Sequence, residues 1–284
     1  MDIKKILNKY RIGFPRLDIE NSQALTFHEN SKLNDLDSQI LGRNIAYFLL
    51  PQMVKNISRP IKPYPYANVI ELPKPIEINE SFDKLVKNRK STRQFIQYRL
   101  TREEISTFLY YTYGKTWKEI VYNEIPFDHR TVPSAGGLYP LEIYLILLNS
   151  ELESGVYHYR ADLHALEFIN EKFKTYDDIK YAFYIEYTIE TENISAILIM
   201  TIFFERIMLK YGERGYRFAV MEAGFASQNL HLAIEALGLG MCMIGGGYND
   251  YKLENEILNI NPNFESVINV AVIGKPKIEI DLDE

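Results

Sequence analysis

Residues 215–237 read as one long helix that is apolar on nearly every side, with Phe218, Val220, Met221, Phe225, Leu230, Leu232, Ile234 and Leu237 spread round the wheel. A helix without a polar face cannot lie on a wet surface, so this one belongs in a core or against a partner subunit. Whatever the chain folds into is built round it. The most apolar stretch, 194–204, runs about 11 residues and carries Ser195 and Thr201; a bilayer crossing takes roughly 20, so 194–203 reads as a buried strand.

The surrounding punctuation is clear. Ser81 caps a helix to about residue 88 with Phe82, Leu85 and Val86 on one face. Thr101-Arg-Glu-Glu104 is a capping box for a second helix that turns Ile105, Phe108 and Leu109 inward and stops at Gly114. Residues 141–148, 155–160 and 165–169 read as strands joined by turns at 149–154 and 161–164, an antiparallel meander. Asn249 or Asp250 caps a short helix to about 258, and 266–273, rich in Val and Ile, is a last strand. Leading helices, an antiparallel-rich central sheet and a long buried central helix make an α+β pattern.

Six of the 12 prolines fall between residues 51 and 75, which predicts an extended arm there. Residues 1–50 show a helix at about 39–50 and polar turns over 29–37, so 1–76 is read as a helical preface with a Pro-rich arm, and 77–284 as the main domain.

Composition excludes several functions. Lys+Arg 32 against Asp+Glu 38 leaves a net charge of −6, the wrong sign for gripping a nucleic-acid backbone. The single cysteine, Cys242, forms no internal disulfide and fits a reducing compartment. Residues 1–14 alternate charged and apolar side chains, unlike a signal peptide, so a soluble cytoplasmic protein is expected. Tyrosine is plentiful, 21 residues against one Trp, and suits interfaces and planar ligands.

Four segments carry possible chemistry. Arg89-Lys-Ser-Thr-Arg93 sets three cations and two hydroxyls after a helix, either an anion cradle or a solvated basic helix end. Pro133-Ser-Ala-Gly-Gly-Leu-Tyr-Pro140 offers a tight backbone path with exposed N–H groups, or a turn before a strand. Lys210-Tyr211 can share and relay a proton if one partner is desolvated; otherwise it is a surface lysine beside a half-buried tyrosine. Ile244-Gly-Gly-Gly247 can bring backbone close to a ligand ring but is no dinucleotide fingerprint. The five histidines lack metal-ligand spacing, and no P-loop, GxSxG or HExxH is present.

Together, in this order, the segments resemble the nitroreductase superfamily of flavoproteins and its SagB/McbC-like branch. Arg89-Lys-Ser-Thr-Arg93 resembles the superfamily's RRSxR phosphate motif with Lys90 in place of the second Arg. Pro133-Ser-Ala-Gly-Gly-Leu-Tyr-Pro-Leu-Glu142 is similar to the PSAGGxYPxE stretch of that branch, and Glu222-Ala-Gly-Phe-Ala-Ser-Gln-Asn229 to its later helix.

The resemblance implies a nitroreductase-like fold and an FMN-binding homodimer with FMN at the interface. It implies oxidation of thiazoline or oxazoline rings in a ribosomally made precursor peptide, with a cyclodehydratase complex as a further partner. Lys210 and Tyr211 fall at the branch's catalytic pair. Cofactor contacts are expected from Arg89, Lys90, Ser91 and Arg93, from Pro133, Ser134, Ala135 and Gly136, and from Gly245 and Gly246. Where many members place basic tail residues on the phosphate, this chain has Lys275 and Lys277, or relies on the partner's arm. The second reading of the same fold is an NAD(P)H-dependent FMN reductase of nitro compounds, quinones or dehydroamino acids.

Overall fold

The computed structural model describes residues 22–57, 61–122 and 124–277. The expectations for residues 1–14 and for Pro60 lie outside them. Among the described residues three helices lead: α1 (Gln23–Asn30), α2 (Asp35–Phe48) and α3 (Pro51–Ile57). The polar turn expected over 29–37 shrinks to residues 31–34, because the Asn34 side chain accepts from the Asp37 N–H and starts α2 there. Pro51 opens a helix rather than an extended run, since the first helical turn needs no N–H partner and welcomes a fixed φ. Residues 61–76 carry no helix, with β1 (Asn68–Glu71) as their one strand.

Next come α4 (Phe82–Asn88), β2 (Phe95–Ile96), α5 (Arg102–Tyr113), β3 (Lys115–Val121), β4 (Ile125–Arg130), β5 (Leu141–Leu147), β6 (Gly155–Arg160) and β7 (Ala165–Asn170). The chain continues through α6 (Tyr176–Ile179), β8 (Ala196–Phe203), α7 (Phe204–Tyr211), α8 (Glu213–Ala236), β9 (Gly240–Ile244), α9 (Asp250–Lys252) and β10 (Glu265–Pro276). Ser81 and the Thr101 capping box begin α4 and α5 as read. Ile105, Phe108 and Leu109 are fully buried; on α4 Leu85 is nearly so, while Phe82 and Val86 stay exposed.

The sheet runs β1-β7-β6-β5-β8-β10-β2, with β9 also on β10, and every pairing is antiparallel. Period-two alternation sends Leu141, Ile143, Leu145 and Leu147 to one core and Tyr144 and Ile146 to the other; Leu198 and Met200 of β8 part likewise from Ile197 and Ile199. Both faces are covered, so these strands read as continuous apolar runs. The β3–β4 hairpin stands apart as its own two-stranded sheet.

The long helix is half as enclosed as its composition suggests. Ala219, Ala223, Ala226, Leu230, Ala233 and Ile234 pack inward, the small residues allowing close approach. Val220, Met221 and Phe225 on its other side remain 40%, 49% and 47% exposed within this one chain. Among the described residues no helix is long and apolar enough to cross a membrane.

Candidate active site

Strand β8 passes without a loop into α7, so the sheet fixes where that helix points. Its inward residues are Ile207 and Lys210, one helical step apart. Gly212, at φ 56° and ψ −147°, ends the helix immediately after Tyr211. Lys210 is only 4% exposed, and no carboxylate pairs with it among the described residues. Its Nζ lies 5.4 Å from the centre of the Tyr211 ring, whose edge packs on Phe218 at 5.1 Å. Burial pushes the Lys210 ammonium below its ordinary range and the Tyr211 phenol above its own.

The loop before β5 meets this pair. Gly136 holds φ 63° and Gly137 φ 66°, a left-handed path that L side chains resist. A Cβ on Gly136 would stand 2.6 Å from both the Lys210 Nζ and the Tyr211 hydroxyl. Gly136 therefore abuts Lys210 and Tyr211, and Pro133, Ser134 and Ala135 are the residues that lead the loop to that contact. Tyr139 of this loop turns into the core, 3% exposed, its hydroxyl accepting the Arg130 N–H at 3.0 Å.

Arg206, one turn before Lys210, fastens loop and helix together. Its guanidinium reaches the Glu142 carboxylate at 2.5 Å and donates to the Tyr139 carbonyl at 3.4 Å. Glu142 also meets His158 Nε2 at 2.8 Å, and His158 Nδ1 meets Glu167 at 2.8 Å. With a carboxylate on each ring nitrogen, His158 donates on both sides as an imidazolium. Burial raises the Glu142 carboxyl, but Arg206 and His158 outweigh it and hold it at about 2.

A cavity of about 410 Å³ opens over the pair. Lys210 and Gly136 line it together with Phe48 and Leu49 at the end of α2, Val54 and Ile57 of α3, and Ile120, Tyr122 and Phe127 of the hairpin region. The Tyr122 hydroxyl donates to the Leu49 carbonyl at 2.5 Å and joins the two walls.

The basic segment forms a second cluster, along β9. Thr92 donates its N–H to the Met241 carbonyl at 2.8 Å, and Gly240 has no room for a Cβ because the Thr92 side chain stands 2.7 Å from where it would lie. Arg89 is half-buried near His231 of α8, while Lys90, Ser91 and Arg93 are exposed. None of the three cations has an acidic partner among the described residues, unlike a surface helix end laced with ion pairs. Gly245 and Gly246 sit exposed at the far end of β9, with nothing within 4 Å of a built Cβ. From Met241 to Gly245 the strand spans about 13 Å at ~3.3 Å per residue. A free basic loop at one end of this ruler and bare backbone at the other suit a phosphate with a flat ring system. No hydrogen bond, ion pair or ring contact joins this cluster to Lys210 among the described residues.

Sequence reasoning gave no role to Arg206 and no strand to β3, β4 or β9. The hairpin is built from charged and exposed residues with no clean alternation, and β9 was masked by its glycines. Cys242 within β9 is buried, and burial pushes its thiol up, away from nucleophilic use.

An unneutralised basic loop and open glycines along one strand, with a desolvated lysine beside a second glycine loop, suit a planar, phosphate-bearing cofactor of the kind oxidoreductases use. The family model described as the nitroreductase family matches residues 86–275. The chain is 35% identical to MJ1384 of Methanocaldococcus jannaschii, named as a nitroreductase, over 74% of this chain and 97% of that one. It is 25% identical to the trifolitoxin-processing protein TfxB of Rhizobium leguminosarum bv. trifolii, over 92% of this chain and 74% of that one. A structure from Anabaena variabilis named as a nitroreductase superposes with a TM-score of 0.60 at 27% identity, over 75% of this chain but 42% of that one. A chain of the E. coli microcin synthetase McbBCD complex with truncated pro-MccB17 bound has a TM-score of 0.58 at 21% identity, over 91% of this chain and 100% of that one. The protein belongs to the nitroreductase family, its fold is nitroreductase-like α+β, and its cofactor is FMN.

Proposed function

We propose that the protein is a cytoplasmic, FMN-dependent azoline dehydrogenase that converts thiazoline or oxazoline rings of a ribosomally made peptide to thiazoles or oxazoles. The observation that carries this reading is Lys210: a buried amine with no carboxylate paired to it among the described residues, at the wall of a cavity that Glu119 and several apolar side chains also line, pressed against a glycine loop. The likeness to a trifolitoxin-processing protein and the PSAGGLYPLE motif support it.

Dehydrogenation removes a proton from the ring carbon that bears the peptide carbonyl and a hydride from its neighbour. FMN supplies the two-electron acceptor for the hydride. Lys210, whose ammonium gives up its proton more readily because of desolvation, takes the proton. Tyr211 holds its own proton more firmly, so it serves as a hydrogen-bond donor that orients the ring. Arg89, Lys90, Ser91 and Arg93 would hold the phosphate, and the backbone of Pro133, Ser134, Ala135, Gly136, Gly245 and Gly246 would meet the ring system. The two clusters are separate within one chain, and α8 and α4 leave Val220, Phe225, Phe82 and Val86 open. We therefore read the active unit as a homodimer with FMN between subunits, with a cyclodehydratase complex as the source of the azoline peptide.

The test is incubation of the FMN-loaded protein with an azoline peptide under air. Mass spectrometry should show loss of two hydrogens per ring; an unchanged peptide mass with FMN bound would reject the reading.

A further inference from the structure

Glu222 of α8 is buried among Ala219, Ala223 and Ala226, 1% exposed. Its Oε1 accepts the Tyr113 hydroxyl at 2.5 Å, and that hydroxyl accepts the Leu141 N–H at 3.2 Å, so the phenol hydrogen is committed to Glu222. Its Oε2 is buried and has no hydrogen-bond partner. Beside it lies the Ser134 side chain, whose oxygen accepts the Tyr139 N–H at 2.9 Å and retains a second lone pair.

An ionised carboxylate buried among alanines is costly even when the Ser134 hydroxyl turns to it, and a proton on Oε2 relieves that cost. Burial pushes the Glu222 carboxyl up to about 7, against the pull of Ser134, Tyr113, Arg130 and Arg206, so both charge states are reachable near neutrality. The other groups facing it are the Arg130 guanidinium of β4, over the Tyr113 and Tyr139 rings, the Arg206 guanidinium of α7, the phenols of Tyr113 and Tyr139, held above their ordinary range by burial, and the Glu142 carboxyl, held at about 2.

We propose that Glu222 is a proton-controlled positioning residue for the cofactor. With a proton on Oε2 it donates to Ser134 Oγ and turns the Ser134 hydroxyl hydrogen outward to FMN; ionised, it takes that hydrogen back. The proposal rests on the reading that the 133–136 loop meets FMN. The raised carboxyl is protonated below about 7, so FMN binds more tightly there and more weakly as pH rises through it.

The experiment measures the FMN dissociation constant of the apoprotein by flavin fluorescence at several pH values. Wild type should weaken about fivefold between roughly pH 6 and pH 8.5, the worth of one hydrogen bond. Glu222→Gln, whose amide donates to Ser134 at every pH, should lose most of that step, and Ser134→Ala should bind weakly throughout. The phosphate of FMN titrates equally in all three proteins, so their differences isolate Glu222. Tyr113→Phe removes the donor to Oε1 and should move the midpoint of the step to higher pH. If Ser134→Ala weakens binding while Glu222→Gln keeps the wild-type step, or Tyr113→Phe leaves the midpoint in place, the proposal is overturned and the cofactor reading stands. If Ser134→Ala binds as tightly as wild type at about pH 6, the Ser134 hydroxyl does not reach FMN and the proposal falls, while the backbone contacts of the loop are left standing.

Discussion

Gly136 and Lys210 occupy adjoining volumes so closely that one methyl group between them would lie 2.6 Å from the lysine Nζ. Gly136→Ala should therefore displace Lys210 and Tyr211 as well as strain a left-handed turn, at about 1 kcal/mol of stability. Turnover should fall far more than the unfolding midpoint moves. Equal turnover in the variant would show that the pair does not need this contact.

Lys210→Met should abolish proton removal and lower kcat by about 10²–10⁴ while FMN stays bound. Tyr211→Phe should cost less, chiefly through orientation. Because burial lowers the Lys210 pKa, activity should rise with pH and be lost as pH falls through that lowered value. A pH–rate profile that is flat on the acid side, or one unchanged in Lys210→Met, would assign the base elsewhere.

The Glu142–Arg206 pair governs acid stability. A carboxyl held at about 2 against an ordinary 4.5 contributes about 3 kcal/mol that is present above the unfolded value and lost as pH falls toward 2. Arg206→Met should destabilise by a similar amount near neutrality and start the acid loss at higher pH. Urea unfolding along a pH series measures both, and parallel curves for the two proteins would contradict the assignment.

Phe225→Glu places a charge in the open apolar side of α8, where the phenylalanine is 47% exposed. On the homodimer reading it should yield monomers that bind FMN poorly yet unfold cooperatively. An intact dimer by light scattering would put the interface on another face.

Much of this was legible from residues alone. Ser81, the Thr101 capping box and the strands beginning at Leu141 and Gly155 act through local hydrogen bonds and alternation, which sequence spacing records directly. Phe82, Leu85 and Val86 share one face of α4 as read, yet only Leu85 is buried, because an apolar stripe shows that a face is to be covered and does not say by what. Arg206 was invisible because its partners, Tyr139 and Glu142, are brought to it by tertiary packing across more than sixty positions. Glu222 did leave a trace: an acid amid core-facing alanines at helical spacing marks a buried polar contact before any coordinates are known.

The cavity over Lys210 is walled by α2, α3 and the β3–β4 hairpin, none of which belongs to the eight-stranded sheet that aims the lysine. On the azoline-dehydrogenase reading, recognition and reaction are thus carried on separable parts of the polypeptide, and exchanging the outer walls for those of a relative would change which peptide is taken while the lysine stays where the sheet aims it.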